Sequence, residues 1–216
     1  MKLVFPPLYA IMDAALAAGR ELALAEKLLQ AGVELIQYRD KQGSPRRLFE
    51  TAVQLVSLLR PRGARLIIND RPDVAVLSGA AGVHVGQEDL GPDEARAICG
   101  PRACVGVSAH TLEQVRSAAT SAADYVAIGP VFSTTTKLRP DPVVGLDFVR
   151  QARALTAKPL VAIGGITLER AAEVYAAGAD SLAVAHDLLT AADSAARARG
   201  YLEAAQAAGR LQDMHR

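Results

Sequence analysis

At 216 residues, half of them hydrophobic, the chain has the length of one α/β barrel domain and enough apolar side chains to bury a large core. Its 24 basic and 23 acidic residues leave a formal net charge of +1, which offers no electrostatic footprint for nucleic acid or an anionic membrane, so any anion must be held locally. No stretch approaches the roughly 20 uncharged apolar residues of a membrane span, and the start MKLVFPPLYA is too short and too broken by proline for a signal peptide; the expected location is cytoplasmic.

Along the chain, short β-branched runs alternate with longer Ala/Leu-rich segments of helical period, the signature of repeated βα units. The predicted strands are Leu8 to Met12, Val33 to Tyr38, Arg65 to Asn69, Gly82 to Val85, Ala103 to Val107, Tyr125 to Ile128, Pro159 to Ile163 and Ser181 to Ala185, each followed by a helix candidate. Several helix starts carry their own chemistry. Ser44 precedes Pro45 at a first helical position, Thr111 with Gln114 fits a capping box, and Thr167 precedes LERAAEVYAAG, in which Gly178 is the stop signal. Eight such units with no Ser/Gly/Pro-rich linker predict a (β/α)8 TIM barrel, one domain over residues 1–216. The main alternative, an open doubly wound sheet, usually has a Gly-rich phosphate turn after its first strand, and IMDAALAAGR lacks it.

In such a barrel the site lies where the strands end. The second strand ends in QYRDK, the third in NDR, the fourth in GQED, the fifth in GVSAH, the sixth in GPVFSTTTK, the seventh in GGI and the eighth in AHD. Gln37, Arg39 and Lys41 alternate, so at strand period they face one side while Tyr38 and Asp40 face the other. Two cations and an amide facing inward suit an anion, and the Arg fork suits phosphate oxygens; solvated charges at an exposed strand end are the bland alternative. Asp70 and Asp89 follow neighbouring strands and read as an acid/base pair, a magnesium site or two helix caps. The nearby Arg39, Lys41 and Lys137 favour metal with a diphosphate as the third party. The hydroxyls of FSTTTK, residues 132 to 137, can wrap a phosphate or line a solvated loop. Gly164 and Gly165 fit a phosphate site shared with the helix after the eighth strand, or simply a tight turn.

The two cysteines, Cys99 and Cys104 in CGPRAC, read as small core or loop residues, with neither a zinc site nor a disulfide expected. His84, His110, His186 and His215 lack the spacing of a helical metal pair, and His110 reads either as a helix-cap neighbour or as a site residue.

Taken as an ordered series, QYRDK, INDRPDVA, GVHVGQEDL, GVSAHT, ADYVAIGPVFSTTTK, VAIGGI and GADSLAV resemble the motifs of the thiamine phosphate synthase family, from about Leu8 to Leu189. The resemblance implies a transferase that joins a hydroxymethylpyrimidine diphosphate to a thiazole phosphate, releasing pyrophosphate by a dissociative route through a pyrimidine-methyl cation. It assigns Gln37, Tyr38, Arg39, Asp40, Lys41, Asn69, Ser108 and Lys137 to the pyrimidine diphosphate, with Arg39, Lys41, Ser108 and Lys137 closest to the chemistry. Asp70 and Asp89 are assigned to Mg2+, and Thr134, Thr135, Thr136, Gly165, Ala185 and His186 to the thiazole phosphate. Two departures stand out: His186 replaces a small Ser, and Thr135 a Pro. The rivals are a thiazole tautomerase on the same barrel, which lacks the diphosphate and metal residues, a phosphate-binding isomerase needing a paired acid and base, and a catalytically silent binding barrel. The expected partners are small phosphorylated molecules rather than nucleic acid or membrane, with a homo-oligomer left open.

Overall fold

The computed structural model describes residues 5–134 and 142–210. Its strands are β1 (Leu8–Asp13), β2 (Leu35–Arg39), β3 (Arg65–Asn69), β4 (Gly82–Val85), β5 (Cys104–Ala109), β6 (Tyr125–Ile128), β7 (Leu160–Ile163) and β8 (Ser181–Val184). All pair in parallel with their neighbours, and β1 closes on β8, so the eight strands form the predicted barrel. Between them run α1 (Ala14–Ala17), α2 (Glu21–Gln30), α3 (Pro45–Leu59), α4 (Pro72–Ser78), α5 (Pro92–Cys99), α6 (Leu112–Thr120), α7 (Gly145–Leu155), α8 (Ala171–Ala176), α9 (His186–Leu189) and α10 (Ser194–Ala207). Among the described residues no helix is long and apolar enough to cross a membrane.

Local chemistry explains where the elements differ from the expected spans. The start of β2 moves from Val33 to Leu35 because the Val33 N–H bonds the Leu28 carbonyl, closing the end of α2. Strand β1 extends to Asp13, which pairs with Arg39, and β5 extends to Ala109, which pairs with Ile128. The last strand stops at Val184 because Ala185 becomes the N-cap of α9. The expected Ser44 cap and the Thr111/Gln114 capping box are both present.

Strand alternation divides the apolar residues into two cores. Outward residues such as Met12, Tyr38, Ile68, Val107 and Val184 pack under the helices. Inward residues Tyr9, Ile11, Leu35, Ile67, Cys104, Tyr125, Ala127, Val161 and Ala183 fill the barrel, and Phe5 packs against both interior tyrosines. At the end opposite the mouth, aspartates that precede strands close the ladder. Asp124 Oδ2 accepts from the Val105 N–H at 2.8 Å and from Arg96 Nη2 at 2.5 Å, and Asp180 Oδ2 accepts from the Leu160 N–H at 2.8 Å and from Arg153 Nη1 at 2.6 Å.

Tyr125 crosses the barrel over Gly106, where a Cβ would lie inside its ring. Interiors packed to this density respond to an added methyl with strain. Gly106→Ala is therefore expected to destabilise the fold by about 1–3 kcal/mol in urea denaturation, and an unchanged midpoint and slope would show that the ring has room to move.

Candidate active site

The C-terminal ends of the strands form one rim, and the structure brings most of the sequence-selected residues to it. Parity sorts QYRDK as expected. Gln37 is buried inside the barrel, with Nε2 donating to Tyr9 Oη at 2.9 Å, whereas Tyr38 lies fully buried under the helices. Asp40 turns away as well, its Oδ1 accepting from the backbone N–H groups of Gln42 and Gly43. Tyr38 and Asp40 can therefore offer a ligand only their backbone.

Arg39 is held by Asp13 at the end of β1, Nη1 to Oδ2 at 2.5 Å. Asp13 also caps α1, its other carboxylate oxygen accepting from the N–H groups of Ala15 and Leu16. This buried carboxylate fixes the guanidinium in place and was not singled out from the sequence; a carboxylate ending the first strand opposite Arg39 is the signal that was available. Asn69 is half-buried at the end of β3.

Asp70 forms an ion pair with Lys41 and adopts φ +62°. Non-glycine residues rarely occupy that left-handed region, which Asp tolerates better than most. Burial raises the Asp70 carboxyl above the usual carboxylate range; Lys41 opposes the shift, and the neighbouring Asp89 carboxylate adds to it. Asp89 is oriented by the Gly86 N–H, which donates to its Oδ2 at 2.8 Å. Two carboxylates side by side with one ammonium form a hard-oxygen donor set lacking positive charge. Among the described residues there is no cluster of three or more His, Cys, Asp or Glu that could hold a metal by itself. The Asp70 and Asp89 carboxylates are the groups that could hold Mg2+, which takes one or two carboxylates and completes its shell with water and phosphate oxygens.

Across the mouth, Ser108 Oγ lies 2.9 Å from His84 Nε2. His110 is a cap neighbour: its N–H donates to Gln114 Oε1, and its Nδ1 is 2.6 Å from the Gly129 carbonyl oxygen.

The segment after β6 lies against the end of β7. Val131 and Phe132 N–H donate to the carbonyls of Ile163 and Gly164, at 2.9 and 3.0 Å. Gly165 has φ +62°, and a Cβ there would meet Phe132 Cβ at 2.8 Å. Arg170 clamps this contact, donating to the Gly165 carbonyl at 3.1 Å while its guanidinium sits 4.5 Å from the Phe132 ring centroid. Thr134 is half-buried beside this junction; Thr135, Thr136 and Lys137 lie outside the described residues. Ala185 caps α9, and His186, its first residue, is exposed.

Relatives complete the picture. The family described as Thiamine monophosphate synthase matches residues 8–188. The chain belongs to that family. A thiamine-phosphate synthase of Koribacter versatilis is 51% identical over 193 residues, covering 87% of this chain and 90% of the relative. One from Chloroflexus aurantiacus is 44% identical over 185 residues, covering 85% of each. The structure of thiamine phosphate pyrophosphorylase from Pyrococcus furiosus superposes with a TM-score of 0.85 at 32% identity, covering 94% of this chain and 96% of that one. Family members so named are transferases, which favours the synthase over the tautomerase, isomerase and silent-barrel readings.

A carboxyl whose folded pKa is raised binds protons in the folded state that the unfolded state releases, so stability falls as pH rises through that window, and the cost persists at neutral pH. Asp70→Asn removes the charge while keeping a residue that accepts φ > 0. In metal-free buffer at pH 7 this variant is expected to melt on the order of 1–3 °C higher than the parent, and added Mg2+ with pyrophosphate is expected to raise its melting temperature less than the parent's. A lower melting temperature would show that the Lys41 ion pair outweighs burial and Asp89.

Proposed function

We propose that the chain joins 4-amino-2-methyl-5-hydroxymethylpyrimidine diphosphate to a thiazole phosphate, giving thiamine phosphate and pyrophosphate, with the rim residues in the roles that follow. The observation that carries this reading is the meeting of Asp70, Asp89 and Lys41 on the rim where Asp13 holds Arg39. This charge arrangement supports a divalent cation with a polyanion as its ligands.

The reaction breaks the bond between the pyrimidine methylene carbon and the diphosphate oxygen, and the electron pair leaves with pyrophosphate. The thiazole nitrogen lone pair then forms the new carbon–nitrogen bond. No proton has to be removed from the attacking nitrogen, so no general base is required. The protein's task is to stabilise charge developing on the leaving group and to keep the cation aligned with its nucleophile. Arg39, preorganised by Asp13, and Lys41 do this electrostatically, with Lys137 added by its place in the family motif. Gln37, Asn69 and Ser108 hold the pyrimidine diphosphate, helped by the backbone of Tyr38 and Asp40. Asp70 and Asp89 hold Mg2+, which when bound neutralises charge on the diphosphate oxygens. Gly165, the backbone of Ala185 and His186, and Thr134 to Thr136 hold the thiazole phosphate. A Cβ at position 165 would intrude on the backbone next to Thr134, so glycine lets the two loops approach this closely.

Purified protein given both phosphorylated precursors should make thiamine phosphate with Mg2+ and none with a chelator; no product with Mg2+ supplied would contradict the proposal. Asp70→Ala and Asp89→Ala are each expected to lower turnover by about 100-fold or more, and full rates in both would remove the metal assignment. Because α9 offers backbone groups and the His186 side chain is exposed, His186→Ser should leave turnover within several-fold. Loss of activity to background would instead give the imidazole a catalytic part.

A further inference from the structure

A chain of hydrogen bonds runs through the barrel interior beneath the rim. Gln37 Nε2 donates to Tyr9 Oη at 2.9 Å, Tyr9 Oη lies 3.0 Å from Tyr125 Oη, Tyr125 Oη lies 2.9 Å from His84 Nδ1, and His84 Nε2 lies 2.9 Å from Ser108 Oγ. It links β2, β1, β6, β4 and β5 in turn and joins two residues assigned above to the pyrimidine diphosphate. Both tyrosines are fully buried, His84 is nearly so, and the His84 ring stacks on Tyr125 with centroids 5.5 Å apart. Burial raises both phenols above their ordinary range, so each keeps its proton and has a single proton to donate.

Counting protons gives the chain a direction. Tyr9 accepts from Gln37, so its own proton goes to Tyr125 Oη. Tyr125 in turn donates to His84 Nδ1. The neutral imidazole then carries its proton on Nε2 and donates to Ser108 Oγ. Reversing the last links would put the imidazole proton on Nδ1 and send the Tyr125 proton to Tyr9. The buried Tyr9 proton would then have no acceptor, at a cost of about 1–3 kcal/mol.

We propose that His84, backed by Tyr125 and Tyr9, is a positioning residue that occupies an acceptor site of Ser108 and so aims the Ser108 proton into the mouth, making this hydroxyl an obligate donor to the pyrimidine diphosphate. The inference rests on the placement of Ser108 at that substrate. It adds that the donor's direction is set from beneath the rim, through Tyr9, Tyr125 and His84. Gly106 belongs to the device, since the absence of its Cβ lets Tyr125 reach across.

The test has two parts. In the full-length protein, 15N NMR of labelled histidine, with the His84 signals identified by their loss in His84→Asn, should show a protonated Nε2 and a bare Nδ1. A protonated Nδ1 would overturn the proposal. In steady-state kinetics, His84→Asn should lower kcat/KM for the pyrimidine diphosphate about 10- to 100-fold with little change in KM for the thiazole phosphate, and His84→Gln, which keeps a donor near the Nε2 position, should recover part of the loss. On a Ser108→Ala background the same change should cost less than about 2-fold. If His84→Asn folds poorly, Tyr125→Phe removes one atom from the chain and should show the same dependence on Ser108. An equal loss in both backgrounds would mean a purely structural histidine and contradict the proposal, as would a fully active Ser108→Ala. A parent protein that makes no product would instead sink the functional reading, leaving the tautomer to decide the direction of the chain.

Discussion

Closure of β1 on β8 is the constraint from which the remaining features follow. A closed parallel barrel puts all eight carboxyl ends on one rim, and it leaves each strand only two directions for its side chains. Once Gln37 faces inward, Tyr38 must serve the helix layer and Arg39 must face the mouth. The same parity puts His84 opposite Tyr125 and hands Ser108 to the rim. Site and core are thus consecutive residues of the same strands, and a shift of one residue in any strand would exchange them.

The mouth is an electrostatic compromise. Asp13 secures Arg39, and Lys41 partly answers the paired charges of Asp70 and Asp89. The Asp70 carboxyl still sits above its usual range, and its backbone occupies a region that non-glycine residues avoid. Both features cost stability in the protein alone; on the proposed reading a cation shared by the two carboxylates would offset the first, while the backbone strain at Asp70 is kept, the pattern expected where binding rather than folding sets the arrangement. Below the rim the logic reverses, for the tyrosine–histidine chain is satisfied without any ligand and gives the mouth a fixed direction of hydrogen bonding.

Much of this was legible in the sequence because barrel strands carry their role in short local words. The β-branched runs located all eight strands, and the polar residues ending them located the rim. Strand limits moved where one hydrogen bond decided them, as with Val33 closing α2 and Ala185 capping α9. The roles of Asp13, Tyr9, His84 and Tyr125 were hidden for a different reason: their partners lie on other strands, and only the register of the closed barrel brings them together. Tyr9 and Tyr125, 116 positions apart, are in the sequence only members of two separate predicted strands. Strand alternation already turned Asp40 away from the mouth, against its place in the family motif, and what holds it there is its own turn.

The claim on which the account depends is that Asp70 and Asp89 share one cation against a diphosphate held by Arg39 and Lys41. Crystals grown with Mn2+ in place of Mg2+ and with pyrophosphate, measured at the manganese absorption edge, test it directly. The account predicts an anomalous peak between the two carboxylates, with pyrophosphate oxygens on the metal and facing Arg39 and Lys41. A peak elsewhere, or pyrophosphate bound at the Gly165 side of the rim with the carboxylates bare, would contradict it.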